Sequence, residues 1–309
     1  MEIKEIDLEH FGHCVRMTNG ILDLIVTVDF GPRIIHFGFS GEENILFCDP
    51  ERNYQIPGTG SENTDDSART FYYYGGHRVW LSYGRQPKEI FPDNDPVVYT
   101  ILPEGVRFLQ PKRKSTGIQA GFEIMMGDDA ADVMVVHTAK NTSKETQPCG
   151  LWPVTMLAGE GIAVLPQNAD SCNPFRPNRT LVFWPDTDAR DKRIFCGNRF
   201  LTIQKTEEAR TPLKVGINNV IGWAAFVGQR FTFMKRFVHS PQGVYPDFGC
   251  SSEVCVEKDF TELQSLSPMY RVEPGQEIRH VENLSVYRTL NSIDPQNEDG
   301  IAKYMNHLN

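Results

Sequence analysis

The sequence predicts an all-β fold, a sandwich or barrel with few short helices. Three observations carry this. The dominant apolar period is two rather than 3.6, helical segments are nearly absent, and the apolar runs are short and bounded by Gly, Pro, Asn or Asp. The first run is ILDLIVTVDF, where Leu22, Leu24, Val26, Val28 and Phe30 fall on one face and Asp23, Thr27 and Asp29 on the other. In RIIHFGF, Ile35, Phe37 and Phe39 alternate with His36 and Gly38. DVMVVHT, RFLTIQ, RFTFMKRFVH, EVCVEKDFTEL and RHVENLSVYR follow the same rule, rich in the β-branched and aromatic residues that fit a pleated surface. The tail DPQNEDGIAKYMNHL, with acidic residues at its start, predicts one short C-terminal helix. Many strands without intervening helices argue against an α/β fold.

The chain has 309 residues, long enough to bury a core without disulfides or a structural metal. No repeat or linker divides it, so residues 1–309 are expected to form one domain. Its 31 basic and 40 acidic residues give a formal charge of −9. A net negative surface repels phosphate, which argues against nucleic-acid and anionic-membrane partners. No apolar run approaches the roughly 20 residues that span a bilayer. The opening MEIKEIDLEHFGHC lacks the apolar centre of a signal peptide, so a cytoplasmic protein is expected. Seven cysteines scattered singly read as buried, reduced thiols. Two irregular stretches interrupt the strands. One is NYQIPGTGSENTDDSART (Asn53 to Thr70), and the other is PQNADSCNPFRPNRT. Long loops of this kind are binding loops or plain surface insertions.

Two segments hold candidate chemistry. FYYYGGHRVWLSYG places His77, Arg78 and Trp80 within four residues, after three tyrosines and two glycines. Histidine exchanges a proton near neutral pH, an aromatic face packs on the C–H surface of a sugar, and arginine offers a fork of donors. The plain alternative is a strand with aromatic core residues and a satisfied histidine. In EVCVEKDFTELQSL, reading Val254 to Gln264 as one strand puts Phe260, Glu262 and Gln264 on one face with Val254 and Val256. A carboxylate buried there would be tuned towards general-base work, whereas one at the strand's exposed end would merely be solvated. HFGHC (His10, His13, Cys14) is half a zinc site without its second half, and Asp93 and Asp95 in FPDNDP read as turn residues. No metal or cofactor is expected. The usual serine-hydrolase, phosphate-loop and dinucleotide signatures are missing.

LIVTVDFGPRIIHFGFSGEENILF, GGHRVW and TELQSLSPMYRVEPGQEIRHVENLSVY, in this order, resemble the galactose mutarotase-like (aldose 1-epimerase) superfamily. The likeness is scattered over most of the chain in short motifs. It is closer to a bacterial subgroup of uncharacterised members than to sugar mutarotases proper. The resemblance implies one large β-supersandwich with a carbohydrate-sized cleft on its concave sheet. It also implies a glutamate base and a histidine acid that open and reclose a sugar ring. On that basis Glu262 matches the base and His77 an active-site histidine. Arg33 and Arg78 would grip substrate oxygens, Trp80 and Trp152 would stack, and Lys214 and Asp247 would reach the cleft. One departure counts against simple mutarotation. The stretch KNTSKETQPCGLWPVTMLAG holds Trp152 where the family carries a second histidine. Three functions follow in order: a sugar mutarotase or epimerase, a non-catalytic carbohydrate-binding protein, and a glycoside hydrolase or lyase. The last normally wants a second carboxylate roughly 5–10 Å away. A small carbohydrate is the expected partner. Neither the sugar nor the oligomeric state can be read from the sequence.

Overall fold

The computed structural model describes residues 1–57, 69–83, 91–169, 175–206 and 211–308. Much of the Asn53–Thr70 stretch and the centre of PQNADSCNPFRPNRT lie outside the described residues. Two large sheets dominate, of 11 and 10 strands, and every described pairing in them is antiparallel. The centre of the larger sheet consists of the strands His77–Ser82, Gln147–Ala158, Phe260–Ser265, Ser252–Val256 and Leu213–Ile217, side by side in that order. The centre of the smaller sheet has Trp223–Gly228, Phe231–Phe237, Glu277–Arg288, Asp132–Asn141 and Ile118–Met126.

The core lies between the sheets. Leu22, Leu24, Val26, Phe37, Val79, Leu81 and Leu263 from one sheet meet Phe108, Phe122, Val135, Phe226, Phe233 and Leu284 from the other. Phe37 meets Phe233 edge-on across the gap, with ring centroids 6.3 Å apart. Among these, Leu22, Leu24, Val26 and Phe37 are residues the alternating pattern assigned to an apolar face, because successive side chains in a strand point to opposite faces.

The C-terminal helix forms at Glu298–Asn306, with the Asn297 side chain accepting the Gly300 N–H as its N-cap. It lays Ile301, Tyr304 and Met305 on Val164, Phe200, Ala225 and Met234, on the outside of the smaller sheet. The glutamate of its first turn, Glu298, also accepts the Arg199 and Phe200 N–H groups at 2.6 and 3.0 Å.

Two details differ from the sequence reading. Val254 to Gln264 is not one strand. Ser252–Val256 and Phe260–Ser265 are paired antiparallel, with Val256 opposite Thr261. The charged Glu257-Lys258-Asp259 turn reverses the chain and inverts the parity. Val254 and Val256 therefore face the core, while Phe260 joins a cluster on the outer face. The two glycines of GGHRVW do permit a close approach, but to the protein's own backbone. A Cβ on Gly75 would sit 2.2 Å from the Phe47 carbonyl oxygen, and one on Gly76 2.2 Å from that of Ile34. Both also have positive φ, which glycine adopts without a Cβ clash.

Candidate functional site on the outer face of the larger sheet

Strand register sorts the candidate residues onto two faces. His77 pairs with Thr155, which pairs with Leu263, a core residue. That row faces the interior between the sheets. Arg78 pairs with Val154, which pairs with Gln264, and this row faces outward. Trp80 and Trp152 are register partners and lie on the same outer face as Val154, Met156 and Phe260. Across the next strand pair Glu262 lies opposite Cys255, which lies opposite Lys214.

The outer face carries a largely buried aromatic cluster with a few polar groups. Trp80 meets Trp152 edge-on at 5.0 Å, and Phe260 packs against Phe47, Tyr54 and Tyr73. On this face Trp152 Nε1 donates to Gln264 Oε1 at 2.9 Å, and Gln264 Nε2 donates to Glu262 Oε2 at 2.6 Å. An indole thus fixes an amide, which fixes a carboxylate. The Arg78 guanidinium lies 3.9 Å from the Trp80 ring centre, with Phe71 and Tyr73 on its flanks. Arg78 is buried. Nη1 reaches the Tyr73 carbonyl at 3.4 Å, while Nε and Nη2 have no hydrogen-bond partner. Burial, and then the charge of Arg33, bring the Arg78 pKa down to about 10, which leaves the guanidinium charged at neutral pH.

Lys214 Nζ sits 2.5 Å from Glu253 and lies over the Trp152 and Trp184 rings at 4.9 and 4.4 Å. Burial opposes its charge, but Glu253 outweighs burial and raises its pKa. The carboxylate of Glu262 is felt around the site. After burial, it is the next cause that pushes Tyr73 up to about 12, the Cys255 thiol well above its ordinary value, and the Glu257 carboxyl upward. Tyr73 therefore keeps its hydroxyl proton at neutral pH.

Glu262, Arg78, Trp80, Trp152 and Lys214 are thus brought together. Asp247 sits in the turn Pro246–Gly249, next to Tyr245 of the outer cluster, with left-handed backbone at Asp247 and Phe248. Two expected residues fall elsewhere. Arg33 is fully buried and engages all five of its N–H groups within the protein. Nε and Nη2 grip Asp93 at 2.9 and 2.7 Å, and the remaining donors go to the carbonyls of Tyr72, Tyr73 and Gly75. It shapes the tyrosine segment and has no donor left for a substrate. Asp93, read from sequence as a turn residue, is its buried counter-ion.

His77 faces the sandwich interior and does not stand across a pocket from Glu262. Its Nδ1 is 2.8 Å from Thr155 Oγ1, and its Nε2 is 3.8 Å from Glu282 Oε2. Around it lie His137, His280, Lys235, Glu282 and Ser265, all buried. Lys235 and His137 hold the Glu282 carboxyl far below its usual range, against the opposing effect of burial. Burial keeps the three histidines neutral, opposed at His77 and His280 by the Glu282 charge and at His137 by its hydrogen bond to Glu282; His280 is lowered to about 4. A neutral imidazole sealed in the core is not placed to protonate a ligand on the outer face. The sequence reading missed the interior network, and it placed Gln264 on the face of Glu262 without giving it a role. Both had a signal. Gln264 is two residues from Glu262 on the same strand, and Lys235 and Glu282 are charges at core-facing positions of alternating strands.

No protein-family model matches the sequence, and no curated protein matches it. Solved structures do match in fold. A galactose mutarotase-like protein from Lactobacillus casei superposes with a TM-score of 0.54 at 10% identity, covering 89% of this chain and 100% of that one. A galactose mutarotase related enzyme from Lactobacillus acidophilus gives 0.51 at 12%, covering 91% and 99%. A TPR-domain containing protein from Parabacteroides distasonis gives 0.61 at 13%, covering 91% of this chain and 48% of that one. The chain has the galactose mutarotase-like fold. Identities this low speak for the fold and not for the reaction.

Proposed function

We propose that the protein binds a small carbohydrate on the outer face of the larger sheet. The observation that carries this reading is the hydrogen-bonded series Trp152–Gln264–Glu262 beside the unpartnered nitrogens of Arg78. A sugar offers apolar C–H faces and a ring of hydroxyls. The first suits the Trp80 and Trp152 surfaces, and the second suits an acceptor carboxylate and a donor fork set side by side. Buried donors without partners favour a ligand that satisfies them, because an unmet hydrogen bond in a dry site is costly.

Calorimetric titration with neutral aldoses, uronic acids and sugar phosphates tests the proposal. At least one class binds the wild type, and Glu262→Gln weakens it roughly tenfold or more, as expected for loss of a charged acceptor. Failure of every class to bind overturns it.

A second reading, sugar mutarotation or epimerisation with Glu262 as base, draws on the fixed orientation of that carboxylate. The bond from Gln264 falls on Oε2, outside which Oε1 remains to take a proton. The acid partner is then not His77. Among the described residues Tyr73 and the Lys214 ammonium, both protonated and electrostatically coupled to Glu262, are groups on that face able to give a proton. Anomeric exchange followed by magnetisation-transfer NMR separates the readings. Acceleration lost in Glu262→Gln supports catalysis, and binding without acceleration supports the first reading.

A further inference from the structure

We infer that His77, His137 and Glu282 form a transition-metal site of the zinc class, which joins the two sheets through the interior of the sandwich. The three residues come from different strands, His77–Ser82 of the larger sheet and Asp132–Asn141 and Glu277–Arg288 of the smaller. Their ligand atoms lie within 4.8 Å of one another. His137 Nε2 and His77 Nε2 are 3.1 and 3.8 Å from the same oxygen, Glu282 Oε2. Donors around a tetrahedral ion with bonds near 2.0–2.1 Å stand about 3.4 Å apart, so small side-chain shifts bring all three to bonding distance.

The surroundings resemble an organised outer layer of a metal site. His77 Nδ1 meets Thr155 Oγ1 at 2.8 Å, which fixes the ring and leaves Nε2 directed at Glu282. That Nε2 is buried and has no hydrogen-bond partner. The other carboxylate oxygen, Oε1, is held by Lys235 Nζ at 2.7 Å and Ser265 Oγ at 2.6 Å, so Oε2 alone points to the histidines. Partners of this kind orient ligands and are the usual companions of a bound ion.

Donor chemistry sets the ion. Two imidazoles and one carboxylate oxygen suit zinc or its neighbours, whereas calcium and magnesium want several more oxygens. Lys235 offsets the Glu282 charge, which weighs further against hard cations held by charge. The site lies on the far side of the sheet from Glu262, so its role is to tie the sheets together and not to act on the outer-face ligand.

The test uses the whole chain, unfolded in urea with a chelator and refolded with zinc, with cobalt(II), or with chelator alone. The inference expects roughly one equivalent of zinc per chain and a visible cobalt spectrum of tetrahedral intensity. It also expects a melting temperature raised by roughly 5 °C at a hundredfold excess over Kd. His137→Gln abolishes the cobalt spectrum. His13→Ala keeps it; this alters the half-buried His13 beside Glu5 and Asp7, where adventitious ions would gather. Wild-type protein that refolds equally well, with no bound zinc and no cobalt spectrum, overturns the inference. So does a spectrum that survives His137→Gln but is lost in His13→Ala.

Discussion

Gln264 connects Trp152 to Glu262, accepting from the indole at 2.9 Å and donating to the carboxylate at 2.6 Å. A buried amide engaged at both ends in this way holds the carboxylate in one direction. Gln264→Leu keeps the volume but strands both neighbours. We expect a stability loss of about 1–3 kcal/mol from the unsatisfied groups, together with weaker ligand binding. Urea unfolding and calorimetry on the same preparation check it. Unchanged values for both would mean that the series does not organise the site.

Arg33 and Asp93, 60 positions apart in sequence, form the other fixed point of the tyrosine segment. Removing one member of a buried pair leaves the other charge uncompensated. Asp93→Ala is therefore expected to cost about 3–5 kcal/mol in urea unfolding. Arg33→Lys is expected to fail as a rescue, because an ammonium has three donors where five are used. A cost below about 1 kcal/mol would show that the pair is dispensable.

The C-terminal helix is held by its apolar stripe. Ile301 is fully buried against the outside of the smaller sheet. Ile301→Ala should cost about 2–4 kcal/mol, and Asn297→Ala, which removes the cap, about 1 kcal/mol. Equal costs for the two would contradict this division between packing and capping.

Thiol reactivity follows burial. Burial pushes Cys14, Cys48 and Cys149 up to about 12, so at pH 8 only about one thiol in ten thousand of each is ionised. Cys196 is exposed. Brief iodoacetamide treatment of the native protein at pH 8, read by peptide mass spectrometry, should label Cys196 and spare those three. Labelling of Cys149 at a similar rate would show that the core opens on that timescale.

The fold was legible because period two is a local property. Each strand carries its own alternation, and the short apolar runs left no room for helices. The motif singled out Glu262, but the face it lies on was not legible, because the turn at residues 257–259 between the two strands inverts the parity. Its partner was not legible either, and the reason lies in the alternation itself. In HRVWLS, His77 shares parity with Val79 and Leu81, both in the core, while Arg78 shares parity with Trp80 on the outer face. Proximity in sequence to Arg78 and Trp80 suggested one site, whereas the pleat divides them between two. Arg33 was misassigned for a different reason. Its saturation by Asp93 and three carbonyls depends on contacts across some 40 to 60 residues, which no local pattern carries.

The most direct measurement is a crystal structure of the protein with the tightest-binding sugar from the calorimetric panel. The account predicts a ring stacked on Trp152 or Trp80, with hydroxyl oxygens at hydrogen-bonding distance from Glu262 and Arg78 and with His77 untouched. A sugar bound elsewhere, for instance in the surface groove lined by Phe39, Glu43, Arg230 and Arg288, would contradict it, as would a panel in which nothing binds.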